Sequence, residues 1–328
     1  MKITDIAEMA GVSPATVSRI INHSGYVSKE NEKKVMRIIK ETNYTPSSIG
    51  RNLRKSSTNI LLAQFPDLSN SFFSNVIDGM EKKAAEYNYG LLVVRAHNEE
   101  TEARYLSMLT NRSVDGYISF TSYCGAEKMN KICSRFPVVQ AGESDETIRT
   151  PIVRSDARAM AYDAVRFLLK KGHRRIAYLY NLDAVVSSPL REIGYKQALE
   201  ENQIPFDPAL STGCVHSHAD AYRACHGTMQ VDAPPTAFFC TSDEMASGVI
   251  RCLTDLGHRV GEDVDVIGCD NTSLAENYIP SITSVSVPSE EIGSVAVELM
   301  MERIKDSGCV NKTIILPHEL VIRKSAHL

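Results

Sequence analysis

The chain has no Cys-x-x-Cys pair, no apolar run long enough to cross a membrane and no export signal at its start. Its eight cysteines, at 124, 133, 214, 225, 240, 252, 269 and 309, stand apart. Cys240, Cys252 and Cys269 fall inside apolar runs, as small buried hydrophobes do. The expectation is a cytoplasmic protein with reduced thiols and no membrane contact. A Gly-x-Ser-x-Gly elbow and a Gly-rich P-loop are also missing, which argues against an enzyme. Cys214, His216, His218, Cys225 and His226 gather near one helix start, but their spacing matches no standard zinc pattern. No metal and no other cofactor is expected.

A chain of 328 residues with 43% hydrophobic content can bury a sizeable core and holds two or three domains. Its net charge of −4 conceals a split. Residues 1–60 carry ten Lys/Arg against five Asp/Glu, and the remainder carries 26 against 35. A basic head on an acidic body suits a head that meets phosphates and a body that does not.

Residues 4–22, TDIAEMAGVSPATVSRIIN, read as two short helices around a tight turn. Ile6, Met9 and Ala10 give the first an apolar face. Gly11 stands where a helix is ended by a left-handed residue, and Val12 fills the corner. Ser13 caps the second helix, Pro14 opens it, and Val17, Ile20 and Ile21 form its buried stripe. The face left over is Ala15, Thr16, Ser18, Arg19 and Asn22, which is small, polar and cationic. This is the pattern of a helix-turn-helix whose second helix lies in the DNA major groove. Arg19 can donate two hydrogen bonds to a guanine edge, and Asn22 can bond a base or a phosphate. Thr4, at the start of the first helix, joins the candidate DNA contacts. A third helix, capped by Ser28, spans about 29–42, with Val35, Ile38 and Ile39 as its stripe.

Residues 46–58, PSSIGRNLRKSST, read either as a solvated linker or as a hinge that folds on DNA. In the second reading Leu53 is a minor-groove wedge, and arginines such as Arg51 contact phosphates. From Asn59 strands alternate with helices, which means parallel sheets covered by helices. The rhythm runs to Asp156, restarts there, and ends in a tail with a helix over 289–306 and strands at 313–316 and 319–322. Two such lobes make a cleft, and ligands in parallel sheets bind at the carboxyl ends of strands. The polar residues at those ends include Asp67 to Asn70, Asp156, Arg191, His216, Ser242, Asp243, Asp270 and Asn271. Carboxylates and amides with one Arg suit the hydroxyl groups of a sugar.

The ordered motifs TDIAEMAGVSPATVSRIIN, YTPSSIGRNL, PDLSNSFF, KKGHRRIAYL, SSPLREIGY, TSDEMASG, DVDVIGCDN and IPSITSV span essentially the whole chain. In these the protein resembles the lactose/galactose repressor family of bacterial transcription regulators. The resemblance implies an all-α helix-turn-helix headpiece over 1–45, a hinge over 46–58, and an α/β body over 59–328. The body would be two-lobed and periplasmic-binding-protein-like, with parallel sheets. Lobe one would hold about 59–156 plus 285–316, and lobe two about 157–284 plus 317–328.

The resemblance also implies a homodimer that represses by binding a pseudo-palindromic, double-stranded operator. Pro14 and Ala15 would help choose the operator sequence, Arg19 would contact guanine, and Leu53 would insert at the operator centre. Effector contacts would come from Phe72, Phe73, Asp156, Arg191, His216, Ser242 and Asp270. The effector is expected to be a sugar. A purine or nucleoside, or control by a phosphorylated carrier protein, stays open. Gly50 replaces the usual hinge Ala and lowers helix propensity by about 1 kcal/mol. His216 replaces an aromatic, Ser242 replaces Asn, and Ala157 follows Asp156 where Asn is common. No heptad repeat follows the last strand, so a dimer rather than a tetramer is expected.

Overall fold

The computed structural model describes residues 1–21, 24–44, 57–184 and 186–327. They form two compact units, Met1–Thr58 and Asn59–Leu328. In the first unit α1 (Ile3–Ala10), α2 (Pro14–Ile21) and α3 (Lys29–Glu41) enclose Ile6, Ala7, Val17, Ile20, Val35 and Ile38. Met9, expected on the apolar face, is 57% exposed. The helix starts earlier than its apolar spacing suggested, so its inner stripe is Ile3, Ile6, Ala7 and Ala10. Gly11 ends α1 at φ 64°, and the Val12 amide donates back to the Ala7 carbonyl at 3.0 Å. Asn22, Arg51 and Leu53 lie outside the described residues, as does most of the expected hinge.

The second unit holds two six-stranded sheets. The first comprises β1 (Ile60–Phe65), β2 (Gly90–Arg95), β3 (Gly116–Ser119), β4 (Val138–Ala141), β5 (Ile152–Ser155) and β11 (Thr313–Leu316). Their order is β11-β5-β4-β3-β1-β2, all parallel. The second comprises β6 (Ile176–Asn181), β7 (Ser211–Cys214), β8 (Ala237–Cys240), β9 (Asp265–Asp270), β10 (Thr283–Ser286) and β12 (Glu319–Val321). Their order is β12-β10-β9-β8-β6-β7, and only β12 runs antiparallel. Helices α4 (Ser71–Glu86), α5 (Glu99–Thr110), α6 (Ala126–Cys133) and α12 (Ser289–Lys305) belong to the first lobe. Helices α7 (Ala157–Lys170), α8 (Ser187–Glu201), α9 (His218–Thr228), α10 (Asp243–Asp255) and α11 (Ser273–Asn277) belong to the second.

The chain therefore crosses between lobes after β5, after β10, and between β11 and β12. The long tail helix does return to lobe one, where α12 packs on α4. Gly79 lies against the Glu290 carbonyl and Gly293 against the Val76 carbonyl, so a side chain at either would strike backbone. That close approach is what the two glycines permit.

Two strands escaped the sequence reading. Ile152–Ser155 carries only two apolar residues, and Thr283–Ser286 reads Thr-Ser-Val-Ser. The second is nonetheless buried, because its polar atoms are paired. The Thr283 amide donates to Ser325 Oγ at 2.8 Å, and Ser284 Oγ donates to Asp243 Oδ1 at 2.6 Å. Val285 and Ser286 pair with Cys269 and Asp270, which places them in the sheet of lobe two rather than in lobe one.

Candidate effector cleft and DNA-reading headpiece

In the headpiece, Ser13 Oγ accepts from the Thr16 amide at 3.1 Å, and the two hydroxyls lie 2.9 Å apart. This cap lets α2 begin at Pro14, whose missing amide hydrogen has no partner to lose there. Burying Val17 and Ile20 turns the opposite side of α2 to solvent. Ser13, Pro14, Ala15 and Arg19 are exposed, and Thr16 and Ser18 are half-buried. Thr4 is exposed on α1, with its hydroxyl donating to Asp5 at 3.2 Å. Small residues around one arginine at a helix surface can lie close to base edges.

Between the lobes is a cavity of about 590 Å³. Its wall is built from strand carboxyl ends: Pro66 and Asp67 after β1, Phe120 and Thr121 after β3, Gly142 and Glu143 after β4, and Ser155 of β5. Facing them are Asn181 of β6, Val215 and His216 after β7, Thr241 and Ser242 after β8, and Asp270 of β9. Six of the seven expected effector positions line it: Phe72, Phe73, Arg191, His216, Ser242 and Asp270. Asp156 does not. It is exposed and caps α7, accepting from the Ala159 amide at 3.0 Å, while its neighbours Ser155 and Ala157 reach the wall. An Asp just ahead of a helix satisfies an otherwise orphaned amide, and here that local bond wins.

Phe72 and Phe73 stand in the first turn of α4, started by Asn70 Oδ1 accepting from the Phe72 amide at 2.9 Å. The two rings meet edge to face, and Phe73 also packs against Phe65 and Phe120. Arg191 lies one turn into α8. Its Nη1 donates to Ser187 Oγ at 3.2 Å, while its Nε is buried without a partner. Ser155 Oγ and His216 Nε2 are likewise buried and unpartnered among the described residues. Three wall atoms thus carry unspent hydrogen-bonding capacity, which buried polar groups in folded proteins rarely do.

Asp270 is the counter-charge. Burial raises its pKa, opposed by nearby Arg191 and His216. Its backbone is in the left-handed half of conformational space, φ 95°, followed by Asn271 at φ 50°. Strain of this kind persists only where surroundings hold it. The hold comes from Asn271, whose amide donates to Ser284 Oγ at 3.0 Å and whose Oδ1 accepts from Arg323 at 2.7 Å.

It also comes from Asp243. Ser242 is the cap of α10, accepting from the Met245 amide at 3.2 Å, which leaves Asp243 in the first turn and 1% exposed. Its carboxylate accepts from the Thr272 amide at 2.7 Å, Thr272 Oγ1 at 2.9 Å and Ser284 Oγ at 2.6 Å. Burial, reinforced by the charge of Asp270, pushes its carboxyl up to about 7 despite these donors.

Sequence reasoning passed over Arg95, Tyr123, Glu143, Arg154 and Asp183, which also line the cavity. Their shared signal was position, at or just beyond the carboxyl ends of strands. Of the residues weighed as a metal group, only His216 is in the cleft. His218 Nδ1 pairs with Ser247 Oγ at 2.8 Å, His226 with Gln230, and Cys214 and Cys225 are buried in an apolar cluster.

A helix-turn-helix unit joined in one chain to a two-lobed cleft defines a DNA-binding regulator with a ligand-binding body. The comparisons agree. Residues 2–47 match the model of bacterial regulatory proteins of the lacI family, and residues 153–326 match that of the periplasmic binding protein-like domain. Catabolite control protein A of Priestia megaterium is 32% identical, covering 98% of each chain. The transcriptional repressor PurR of Vibrio atlanticus is 32% identical over 98% of each, and the ribose operon repressor of Halalkalibacterium halodurans is 31% identical over 98% of this chain and 96% of its own. Among solved structures, the lac repressor dimer bound to operator and an anti-inducer superposes with a TM-score of 0.90 at 25% identity, covering 100% of this chain and 99% of that one. The regulator CelR in complex with cellobiose gives 0.75 at 25% identity and 99% coverage of each. The chain belongs to the lacI family of bacterial regulatory proteins. No described helix is long and apolar enough to cross a membrane.

Proposed function

We propose that this protein is a repressor of carbohydrate uptake or catabolism genes, a homodimer whose affinity for a pseudo-palindromic operator is set by an uncharged sugar in the cleft. It acts by binding rather than by catalysis, in the bacterial cytoplasm where the operator is. The observation that carries the effector class is the wall chemistry. Arg191 Nε, His216 Nε2 and Ser155 Oγ are buried and unspent, and the Asp270 carboxylate is close by. Hydroxyl groups both donate and accept, so a polyol can engage all of them at once. The cavity wall carries three arginines against four carboxylates, a balance that gives an anionic ligand no net attraction. Phe72 and Phe73 offer an apolar face to a sugar ring.

In this reading Thr4, Ser13, Pro14, Ala15, Thr16, Ser18, Arg19 and Asn22 meet the operator in the major groove. Arg51 meets phosphate, and Leu53 is the wedge at the operator centre. Effector bound to Phe72, Phe73, Arg191, His216, Ser242 and Asp270 favours one relative orientation of the lobes. That population shift passes to the hinges, and its size is limited by the difference in effector affinity between the two states.

A purine effector is the second reading, favoured by the PurR relative and by the same phenylalanine pair, which can also flank a base. The test is thermal melting against sugars, sugar phosphates and nucleobases. A ligand that binds only the folded state raises Tm, by an amount equivalent to about 2.7 kcal/mol at a hundredfold excess over Kd. A hit among neutral sugars, followed by a changed operator affinity in its presence, supports the reading. A hit among nucleobases alone overturns the sugar.

A further inference from the structure

Helix α8, which carries Arg191, starts without a cap of its own. The residue ahead of its first turn is Val186, which has no side-chain oxygen to offer. The orphaned amides are satisfied from the other lobe. Glu143, on the turn after β4 of lobe one, accepts from the Val186 amide and from the Ser187 amide, both through Oε2 and both at 3.0 Å. Among the described residues no other side chain hydrogen-bonds across the mouth of the cleft, away from the crossing strands. Glu143 itself lines the cavity.

We propose that Glu143 is an internal anion that latches the two lobes by capping α8 and, in the same position, excludes anionic effectors. A helix N-terminus facing a cleft presents free amides and a partial positive charge, the elements of a phosphate or carboxylate site. Here the protein fills that position with its own carboxylate, delivered from the opposite wall. The bond costs the chain nothing to carry along while the lobes are together, and it is lost when they part. It therefore favours the closed arrangement before any ligand arrives. It also sets the register of α8, because Ser187, whose amide it holds, accepts from Arg191 through its hydroxyl. An anionic ligand would have to displace Glu143 and leave its charge in the cleft. A neutral ligand would not.

The proposal concerns the ligand-free protein and does not depend on which effector is the natural one. It is tested by hydrogen–deuterium exchange, resolved to single amides, on the full chain and on Glu143→Ala and Glu143→Gln. Removing a cap of this kind speeds exchange of the capped amides about tenfold. We expect that change at Val186 and Ser187 in Glu143→Ala, with Glu143→Gln in between, since it keeps an acceptor and loses the charge. Inorganic phosphate should slow exchange at these amides in Glu143→Ala and leave the wild type unchanged. If the alanine variant fails to fold, the glutamine variant with and without phosphate carries the same comparison. Wild-type exchange rates in the variants would overturn the latch. Faster exchange that phosphate does not reverse would overturn the exclusion of anions.

Discussion

Replacing Asp243 by Asn would separate what its carboxylate holds from what its charge costs. The side chain is 1% exposed, with three donors on its two oxygens and a pKa pushed from 3.8 to about 7. A raised pKa means that the folded protein binds a proton more tightly than the unfolded chain does. Its stabilising share is complete below about pH 4 and is lost as pH rises through about 7. The full shift of about three units corresponds to roughly 4 kcal/mol, and the part falling between pH 5 and pH 8 to roughly 2.5 kcal/mol.

Asn has nearly the same shape, accepts from the Thr272 amide and does not titrate. Urea unfolding of wild type and Asp243→Asn at pH 5 and pH 8 should therefore differ in slope. Between those values the variant should gain roughly 2.5 kcal/mol on the wild type. Asp243→Ala should instead lose about 2 to 4 kcal/mol at either pH, because it strips the partner from a buried amide and two hydroxyls. It should also weaken effector binding by releasing the strained Asp270–Asn271 turn. Identical pH dependence in wild type and Asp243→Asn would refute the account of a charge penalised by burial.

Arg191→Ala should shift the effector response to higher sugar concentration while leaving operator affinity without sugar intact, as read by fluorescence anisotropy of labelled operator over a sugar titration. The loss of a charge-assisted donor predicts about ten- to hundredfold weaker effector binding, and an unchanged response would refute the cleft assignment. Asp156→Ala should lower stability by about 1 kcal/mol through the lost cap of α7 and leave effector affinity unaltered in calorimetric titration; a large affinity loss would return Asp156 to the site. Arg19→Ala should reduce operator binding by about 1 to 3 kcal/mol more than nonspecific binding, measured at one fixed salt concentration, because a bidentate base contact specifies and a phosphate contact does not.

The headpiece was the most legible part of the chain. Each of its signals acts within four residues: Ser13 on the Thr16 amide, Gly11 at the end of α1, Ser28 on the Asn31 amide at 3.4 Å. Met9 was misplaced only because the true start of α1 shifts which spacing counts as the inner face. The alternation of strands and helices in the body was equally open to reading, since burial on both faces makes parallel strands apolar and compact. β10 was missed for the converse reason. Its burial depends on polar partners at Asp243, Arg323 and Ser325, separated from it in sequence by 41, 40 and 42 residues.

The sequence by itself determined the caps, the turn of the helix-turn-helix, the exposed face around Arg19, the two-lobed rhythm and the placing of polar residues at strand ends. These follow from interactions within one or two turns and from the period of apolar residues. Only the tertiary structure decided which polar residue did what. It gave Asp156 to a helix cap and Ser155 to the wall, tied Asp243 to Thr272 and Ser284 across 29 and 41 residues, and brought Glu143 to the bare start of α8. A carboxylate's partners are chosen by distance in space and by burial, and neither is written in the neighbouring residues. An Asp is a cap at 156, where water reaches it, and at 243, where water does not, an anchor whose carboxyl is pushed up to about 7.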